Sequence, residues 1–284
     1  MIPDAPRTDL LLLEGALWLL TAQTGISIYD FDFRAWFHTQ SALDPPANLN
    51  AVARVGAVRD YRTFHDKCRE DGIVLIHSPD EQLRASQLDR WYPLLSDLTP
   101  RSLCFQGRPT LAQIKEKFNW PVFMKGARQT SRHQRTLSII DSDAAFESAM
   151  ELYRRDPILG WQDVVCREFV PLRRLSDSDP DGAKMPRCFE FRTFWWKAKL
   201  AGAGRYWWEG PAYDWTADER AAGLEIAREA ARRVNVPFLV VDLAQTESGR
   251  WLVIECNDGQ ESGYAGVSPI GLWQTILDYE KVKA

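Results

Sequence analysis

Two carboxylates and a carboxamide near the C-terminus, Asp242, Glu255 and Asn257, carry the densest chemistry in this 284-residue sequence. Asp242 lies in the run Phe238-Leu239-Val240-Val241-Asp242-Leu243, and Glu255 and Asn257 in Trp251-Leu252-Val253-Ile254-Glu255-Cys256-Asn257. Two apolar, β-branched runs flanking the polar Thr246-Glu247-Ser248-Gly249-Arg250 predict a β-hairpin. With Glu247 to Arg250 as the loop, Thr246 faces Trp251 and Asp242 falls directly opposite Glu255. Side chains alternate along a strand, so Asn257 shares the face of Glu255. Opposed residues hold their Cβ atoms about 4.5 to 5.5 Å apart, and like charges so placed destabilise a sheet. Either one carboxyl keeps a proton at a raised pKa, or a divalent cation sits between the two. Two carboxylates and an amide oxygen suit magnesium, which takes few protein ligands and completes its shell with water and phosphate oxygens. The plainer alternative puts Asp242 in solvent and pairs Glu255 with an arginine. Against it, Asp and Glu are depleted from strands, and both lie amid valine, isoleucine and leucine.

Cations with matching chemistry lie upstream. Lys125 ends the strand-like run Val122-Phe123-Met124-Lys125-Gly126. A strand end fixes the lysine backbone and leaves one flexible ammonium to reach phosphate oxygens. Arg128, Arg132, His133 and Arg135 follow without apolar periodicity, a local anion site in a chain of net charge -4. Farther on, Arg192 shares a strand face with Glu190 and Phe194. Its guanidinium offers phosphoryl oxygens a bidentate fork, unless Glu190 takes it in an internal salt bridge. Arg205, on the returning strand, is a weaker second candidate. Glu168 closes the apolar run Val164-Val165-Cys166-Arg167, with Arg167 or Arg173 as an ordinary ion-pair partner.

The elements that must position these groups fall into three units. Residues 1–95 predict a mixed α/β lobe: Tyr29-Asp30-Phe31-Asp32-Phe33 alternates like a strand, Asp60 to Glu70 reads as a helix, and Ile73 to Ile76 as a buried parallel strand. Ser78 or Asp80 then caps a helix that continues through Leu88. No glycine-rich fingerprint follows the strand, which argues against a classical dinucleotide site. Residues 96–170 hold a helix from Thr110 to Phe118, the Lys125 strand, a helix from Asp143 to Arg155 and a strand from Asp163 to Val170. Residues 171–284 open on the polar stretch Ser176 to Pro186, which reads as a mobile loop. A strand from Cys188 to Trp196 turns at Lys197 to Lys199 and returns through Leu200 to Trp208. Thr216 and Glu219 form a capping box for a helix with Ala221, Leu224, Ala227, Ala231 and Val234 on one face.

With 45% hydrophobic and 26% charged residues, the composition is that of an ordinary soluble protein. A pI near 5.7 gives no reason to expect nucleic acid or an anionic membrane as partner. Leu10 to Leu20 is short, interrupted by Glu14 and preceded by Asp4 and Asp9, unlike a signal peptide or a span; a cytoplasmic location is expected. Five cysteines without CxxC spacing fit reduced thiols.

Lys125, Glu168, Arg192, Asp242, Glu255 and Asn257, in that order, resemble the ATP-grasp superfamily, with the hairpin as its magnesium-binding signature. The runs Arg167-Glu168-Phe169-Val170-Pro171-Leu172 and Glu190-Phe191-Arg192-Thr193-Phe194 look most like the small bacterial and phage clade named for two arginines and one lysine. A more distant similarity is to eukaryotic cell-division-cycle assembly factors. The resemblance implies an α+β / α/β fold in which two α+β lobes clasp ATP, preceded by a smaller α/β lobe. It gives the phosphates to Lys125 and to a loop where Arg128 and Arg132 stand in for the family's glycine-rich backbone. It also gives the adenine edge to Glu168, Phe169 and Val170, the transferred phosphate to Arg192, a second phosphate or acyl-phosphate contact to Arg205, and Mg2+ to Asp242, Glu255 and Asn257. The loop Gly259 to Gly266 is implied to shape the acceptor pocket. A second basic residue before Lys125 has only Arg101, Lys115 and Lys117 as candidates. The implied activity is an ATP- and magnesium-dependent carboxylate–amine ligase that forms an acyl phosphate from small-molecule or peptide substrates. Two rivals keep the nucleotide: a phosphotransferase, and an assembly factor of the cell-division-cycle type. An exposed patch of Trp207, Trp208 and Trp215 would favour the assembly factor; a small closed cleft lined by Arg205 and the Gly259 to Gly266 loop would favour the ligase.

Overall fold

The computed structural model of the chain describes residues 8–22, 32–41, 46–56, 58, 60–127, 134–157, 159–176 and 184–282. Among these residues the strands form three sheets. The first contains β1 (Thr8–Leu13), β2 (Leu17–Ala22), β3 (Thr39–Ser41), β4 (Leu49–Arg54) and β5 (Ile73–Leu75), in the order β3-β1-β2-β4-β5. The apolar run Leu10 to Leu20 is thus a hairpin, turned by Glu14 and Gly15 at φ 49° and 68°, the left-handed pair that a tight hairpin turn requires. The strand expected at Tyr29 to Phe33 is not formed at its described end. Asp32 instead accepts a hydrogen bond from Arg34 N and starts a 3-10 turn, Phe33–Ala35, as aspartate does when its side chain competes for the local backbone. Residues 29–31 lie outside the described residues.

Helix α1 (Tyr61–Glu70), capped by Asp60, crosses between the parallel strands β4 and β5. Ser78 and Glu81 form a capping box for α2 (Pro79–Ser86). The helix expected to run through Leu88 breaks at the extended Gln87, and α3 (Leu88–Leu95) follows. Trp91 and Leu95 of α3 pack in the core of the C-terminal sheet.

The second sheet, ordered β6-β9-β7-β8, holds β6 (Ser102–Phe105), β7 (Val122–Gly126), β8 (Ile139–Ile140) and β9 (Val164–Glu168). Helices α4 (Leu111–Lys117), α5 (Arg135–Ser138) and α6 (Asp143–Arg155) accompany it, and Ile114, Phe146 and Met150 close its core. The third sheet, β11-β10-β12-β13, is built from β10 (Glu190–Trp196), β11 (Lys199–Arg205), β12 (Phe238–Gln245) and β13 (Trp251–Asp258). One face packs on α7 (Ala217–Val234), opened by the Thr216–Glu219 capping box. Leu224, Ala227, Ala231 and Val234 are buried as expected, whereas Ala221 is exposed. The other face packs on α8 (Pro269–Lys281) and on the first sheet. Of the polar stretch Ser176 to Pro186, residues 177–183 lie outside the described residues. All five cysteines are free.

The β12–β13 hairpin sets Asp242 opposite Glu255, as expected, by a different count. Gln245, not Thr246, faces Trp251, and the loop runs from Thr246 to Arg250, closed by Thr246 N donating to Arg250 O at 2.8 Å. A bulge at Ile254 restores the register between Val253 and Glu255.

Candidate functional site

Asp242 is 1% exposed and lies between Arg192 on β10 and Glu255 on β13. Arg192 Nε and Nη2 donate to Asp242 Oδ1 and Oδ2 at 2.9 and 2.8 Å, while Nη1 donates to Gly263 O at 2.7 Å. The Tyr206 ring centre lies 5.1 Å from the guanidinium carbon. On the other side, Lys125 Nζ at the end of β7 pairs with the Glu255 carboxylate, which also accepts a hydrogen bond from Asn257. The repulsion between Asp242 and Glu255 is therefore offset by two side-chain cations, a third solution beside the proton and the metal. The Arg192–Glu190 bridge is not formed; Arg192 takes Asp242.

Burial pushes the Asp242 carboxyl above its ordinary range, with Arg192 opposing. Burial acts upward on Glu255 too, but Lys125 and Asn257 outweigh it and the net shift is downward. Glu190, buried on the face of Arg192, accepts from Trp207 Nε1 at 3.1 Å. Burial, and then the neighbouring Asp242, pushes its carboxyl up to about 8.

Arg205 is not brought to this cluster. A plain two-residue turn would set Arg205 opposite Glu190, on the Arg192 face. A bulge between Phe194 and Trp195 shifts the pairing by one, so Arg205 faces Phe191 and Arg192 faces Gly204. A one-residue slip turns a side chain to the other face of the sheet. Gly204 is required here: a Cβ would lie 2.4 Å from Gly266 O.

Arg128, Arg132 and His133 lie outside the described residues. Glu168 is exposed at the end of β9, with Phe169 and Val170 half-buried beyond it. Neither arginine considered for Glu168 pairs with it. Arg173 donates to Glu219 at 2.6 Å. Arg167 is buried, donating to Ser102 Oγ at 2.9 Å and to Ile254 O at 2.7 Å, so the carbonyl exposed by the hairpin bulge ties the second sheet to the third. Burial lowers the Arg167 pKa to about 10. Lys115 and Lys117 pair at the surface with Asp143 and Glu116, and Arg101 donates to Lys117 O at 2.5 Å.

Behind Arg192 lies a network that residue spacing does not reveal. Arg54 Nη1, at the end of β4, donates to Gly259 O, Gln260 O and Ser262 O at 2.7, 3.1 and 3.0 Å. Gln260 Oε1 accepts from Ala53 N at 3.0 Å, and its Nε2 donates to Tyr61 Oη at 3.1 Å. His77 Nε2 accepts from Phe238 N at 3.0 Å, which assigns the ring proton to Nδ1. That nitrogen lies 3.1 Å from Asp258 Oδ1 without hydrogen-bond alignment. The first lobe thus holds the loop whose Gly263 carbonyl fixes Arg192. The only sequence signal was a polar residue ending each of two apolar runs, Arg54 after Ala51-Val52-Ala53 and His77 after Ile73 to Ile76.

Among the described residues, no group of three or more His, Cys, Asp or Glu forms a metal site. The candidate set is two carboxylates and a carboxamide, and it fits magnesium: each Asp242 oxygen keeps a second lone pair after accepting from Arg192, and Glu255 and Asn257 already touch. No helix among the described residues is long and apolar enough to cross a membrane.

Comparison with known proteins gives the fold and the family. A D-alanine–D-alanine ligase from Bacillus anthracis, complexed with ATP, has a TM-score of 0.57 at 13% identity, covering 83% of this chain and 81% of that one. A RimK domain protein of ATP-grasp type from Sphaerobacter thermophilus DSM 20745 gives 0.55 at 14% identity, with 82% and 81% covered. The VanG D-Ala:D-Ser ligase from Enterococcus faecalis gives 0.55 at 16%, with 82% and 72% covered. At these identities the likeness is one of fold. No curated protein matches the sequence. The family model for the ATP-grasp domain of the two-arginine, one-lysine clade, family 3, matches residues 111–276. That match spans more than half of the chain and contains Lys125, Arg192, Asp242, Glu255 and Asn257, and the chain belongs to this ATP-grasp family.

Proposed function

We propose that the chain is an ATP- and magnesium-dependent ligase that joins a carboxylate to an amine through an acyl phosphate. The observation that carries the reading is the quartet of Lys125, Glu255, Asp242 and Arg192, two cations and two carboxylates that neutralise one another at the junction of two sheets. Each pair is a stored exchange: Lys125 leaves Glu255 for a phosphate oxygen, and Arg192, held by Gly263, turns its fork toward the transferring phosphoryl group. Magnesium held by Asp242, Glu255 and Asn257 supplies charge neutralisation at the phosphate oxygens. Glu168, Phe169 and Val170 line the adenine edge, with residues 96–170 and 171–284 as the two clasping lobes and 1–95 as the lobe before them.

A substrate carboxylate oxygen attacks the γ-phosphorus while the bond to ADP breaks. An amine nitrogen then attacks the acyl carbon, the carbon–oxygen bond to phosphate breaks, and the nitrogen gives up a proton. The solved ligases named for D-alanine–D-alanine and D-Ala:D-Ser products support the ligase class. The assembly-factor reading loses its discriminating surface. Trp207 donates to Glu190 and Trp215 stacks on Phe191, leaving Trp208 exposed at 56%.

The test is release of ADP and phosphate by the purified chain with MgATP against pooled amino acids and small peptides, beside Asp242→Asn. Pool-dependent release of both products, lost in the variant, supports ligation. ADP without free phosphate, with phosphate retained on the substrate, supports a phosphotransferase. Magnesium-dependent ATP binding without any turnover favours the assembly factor.

A further inference from the structure

The bulge that turns Arg205 away from the quartet places it in a different setting. A cleft of about 620 Å³ opens at the β11 edge of the third sheet, between Ala203 to Arg205, Gly266 and the segment leading into α7. Phe191, Arg205, Tyr213, Asp214 and Trp215 line it. Trp215 stacks on Phe191 with ring centres 3.9 Å apart and planes 9° from parallel. The Arg205 guanidinium carbon lies 5.8 Å from the Tyr213 ring centre.

Two charges of opposite sign share this cleft. Among the described residues, no carboxylate pairs with Arg205 and no cation with Asp214, and the two do not pair with each other. Asp214 Oδ1 accepts a local hydrogen bond from Trp215 N at 2.8 Å, which leaves carboxylate lone pairs free. An unpaired guanidinium and an unpaired carboxylate beside an aromatic wall are the complement of a zwitterion with an apolar body. The guanidinium fork fits a carboxylate, the Asp214 carboxylate fits an ammonium, and the volume lies in the usual range for a small-molecule site, about 300 to 1,000 Å³.

We propose that this cleft binds a free α-amino acid with an apolar or aromatic side chain: its carboxylate on Arg205, its ammonium on Asp214 and its side chain against Trp215 and Tyr213. Arg192 projects from the other face, so the amino acid is recognised here without reacting here. The inference goes beyond the ligase reading and does not depend on it. The cleft is nevertheless connected to the quartet. Gly266 N donates to Arg205 O at 2.9 Å, and three residues earlier in the same loop Gly263 O accepts from Arg192. An occupant of the cleft bears on the loop that holds Arg192.

The probe is L-phenylalanine, titrated into the full chain without nucleotide or metal and followed by tryptophan fluorescence and calorimetry. Phenylalaninamide lacks the carboxylate and N-acetylphenylalanine lacks the ammonium. Each is expected to bind about tenfold to a hundredfold more weakly, the effect of losing one charged hydrogen bond. Arg205→Gln is expected to erase the preference for acid over amide, and Asp214→Asn the preference for free over acetylated amine. Arg232→Gln, on an exposed helix surface, is expected to retain phenylalanine binding. The proposal is overturned by absence of saturable binding at millimolar phenylalanine, by equal affinity for the three compounds, or by unchanged binding and preference in Arg205→Gln. Turnover is not read in this experiment, so failure of the ligase reading leaves its result intact.

Discussion

The quartet around Asp242 and the network around Arg54 are both buried and both rich in charge, yet they are built on opposite principles. In the quartet, charged side chains from β7, β10, β12 and β13 meet other charged side chains. Each partner is one that a ligand of the same sign can replace. In the network, a single guanidinium meets three backbone carbonyls of the loop after β13, and a neutral histidine meets a backbone N–H. Backbone groups cannot leave. The contrast separates groups arranged for exchange from groups arranged to hold.

The largest test of that contrast is Asp242→Asn, which keeps the shape and removes the charge that faces Arg192. If the proposed activity is present, turnover should fall about a hundredfold to a thousandfold, beyond what the stability lost by stranding Arg192 explains; a retained rate would remove Asp242 from the reaction. Lys125→Met strands Glu255 and should lower folding stability by about 3 kcal/mol in metal-free urea titrations. Millimolar magnesium should restore more stability to this variant than to the parent, and no recovery would exclude Asp242, Glu255 and Asn257 as a metal set. Arg54→Met strands three carbonyls and should lower stability by about 2 to 3 kcal/mol, with no recovery in magnesium. Recovery there would erase the distinction between the two regions.

Glu190 gives a pH test. Its folded pKa, about 8, lies above its ordinary 4.5. The stability held by the protonated carboxyl is therefore complete below the unfolded value and is lost as pH rises through the folded one. Between about pH 6 and pH 8 the parent should lose on the order of 2 kcal/mol that Glu190→Gln keeps; parallel curves for the two proteins would contradict the shift. The smallest effect belongs to Arg232→Ala. Arg232 meets Glu229 at 2.7 Å, as close as Arg192 meets Asp242 in the quartet, but at an exposed helix surface. Its loss should leave the urea midpoint essentially where it is in the parent, and a clear downward shift would show that exposure does not separate these pairs.

What could be read in the sequence, and what could not, divides at the β-bulges. The facing of Asp242 and Glu255 was legible because both sit in apolar runs with a clear turn between them. The count to reach it was not, since the loop is one residue longer than expected and the bulge at Ile254 compensates. A second bulge, in the β10–β11 pairing, sets Arg205 opposite Phe191 where an unbroken register would set it opposite Glu190. A bulge leaves little trace in a pattern of apolar alternation, yet one extra residue reverses every assignment beyond it. The helices were legible where capping residues announced them, as at Ser78 and Thr216. Arg54 and His77 escaped because the partners described for them are backbone groups, and a carbonyl or an N–H looks the same in every residue.

The hold of Arg54 on Gly259 also has a consequence for how the chain assembles, since the two residues are 205 positions apart. Contacts so distant in sequence close the largest loops and form late in folding. As the polypeptide emerges during synthesis, β4 and α1 are complete long before residues 259–262 exist, and Arg54 and the Tyr61 hydroxyl wait without these partners. The last quarter of the chain, on arriving, completes the first lobe and orients Arg192 in a single closing event.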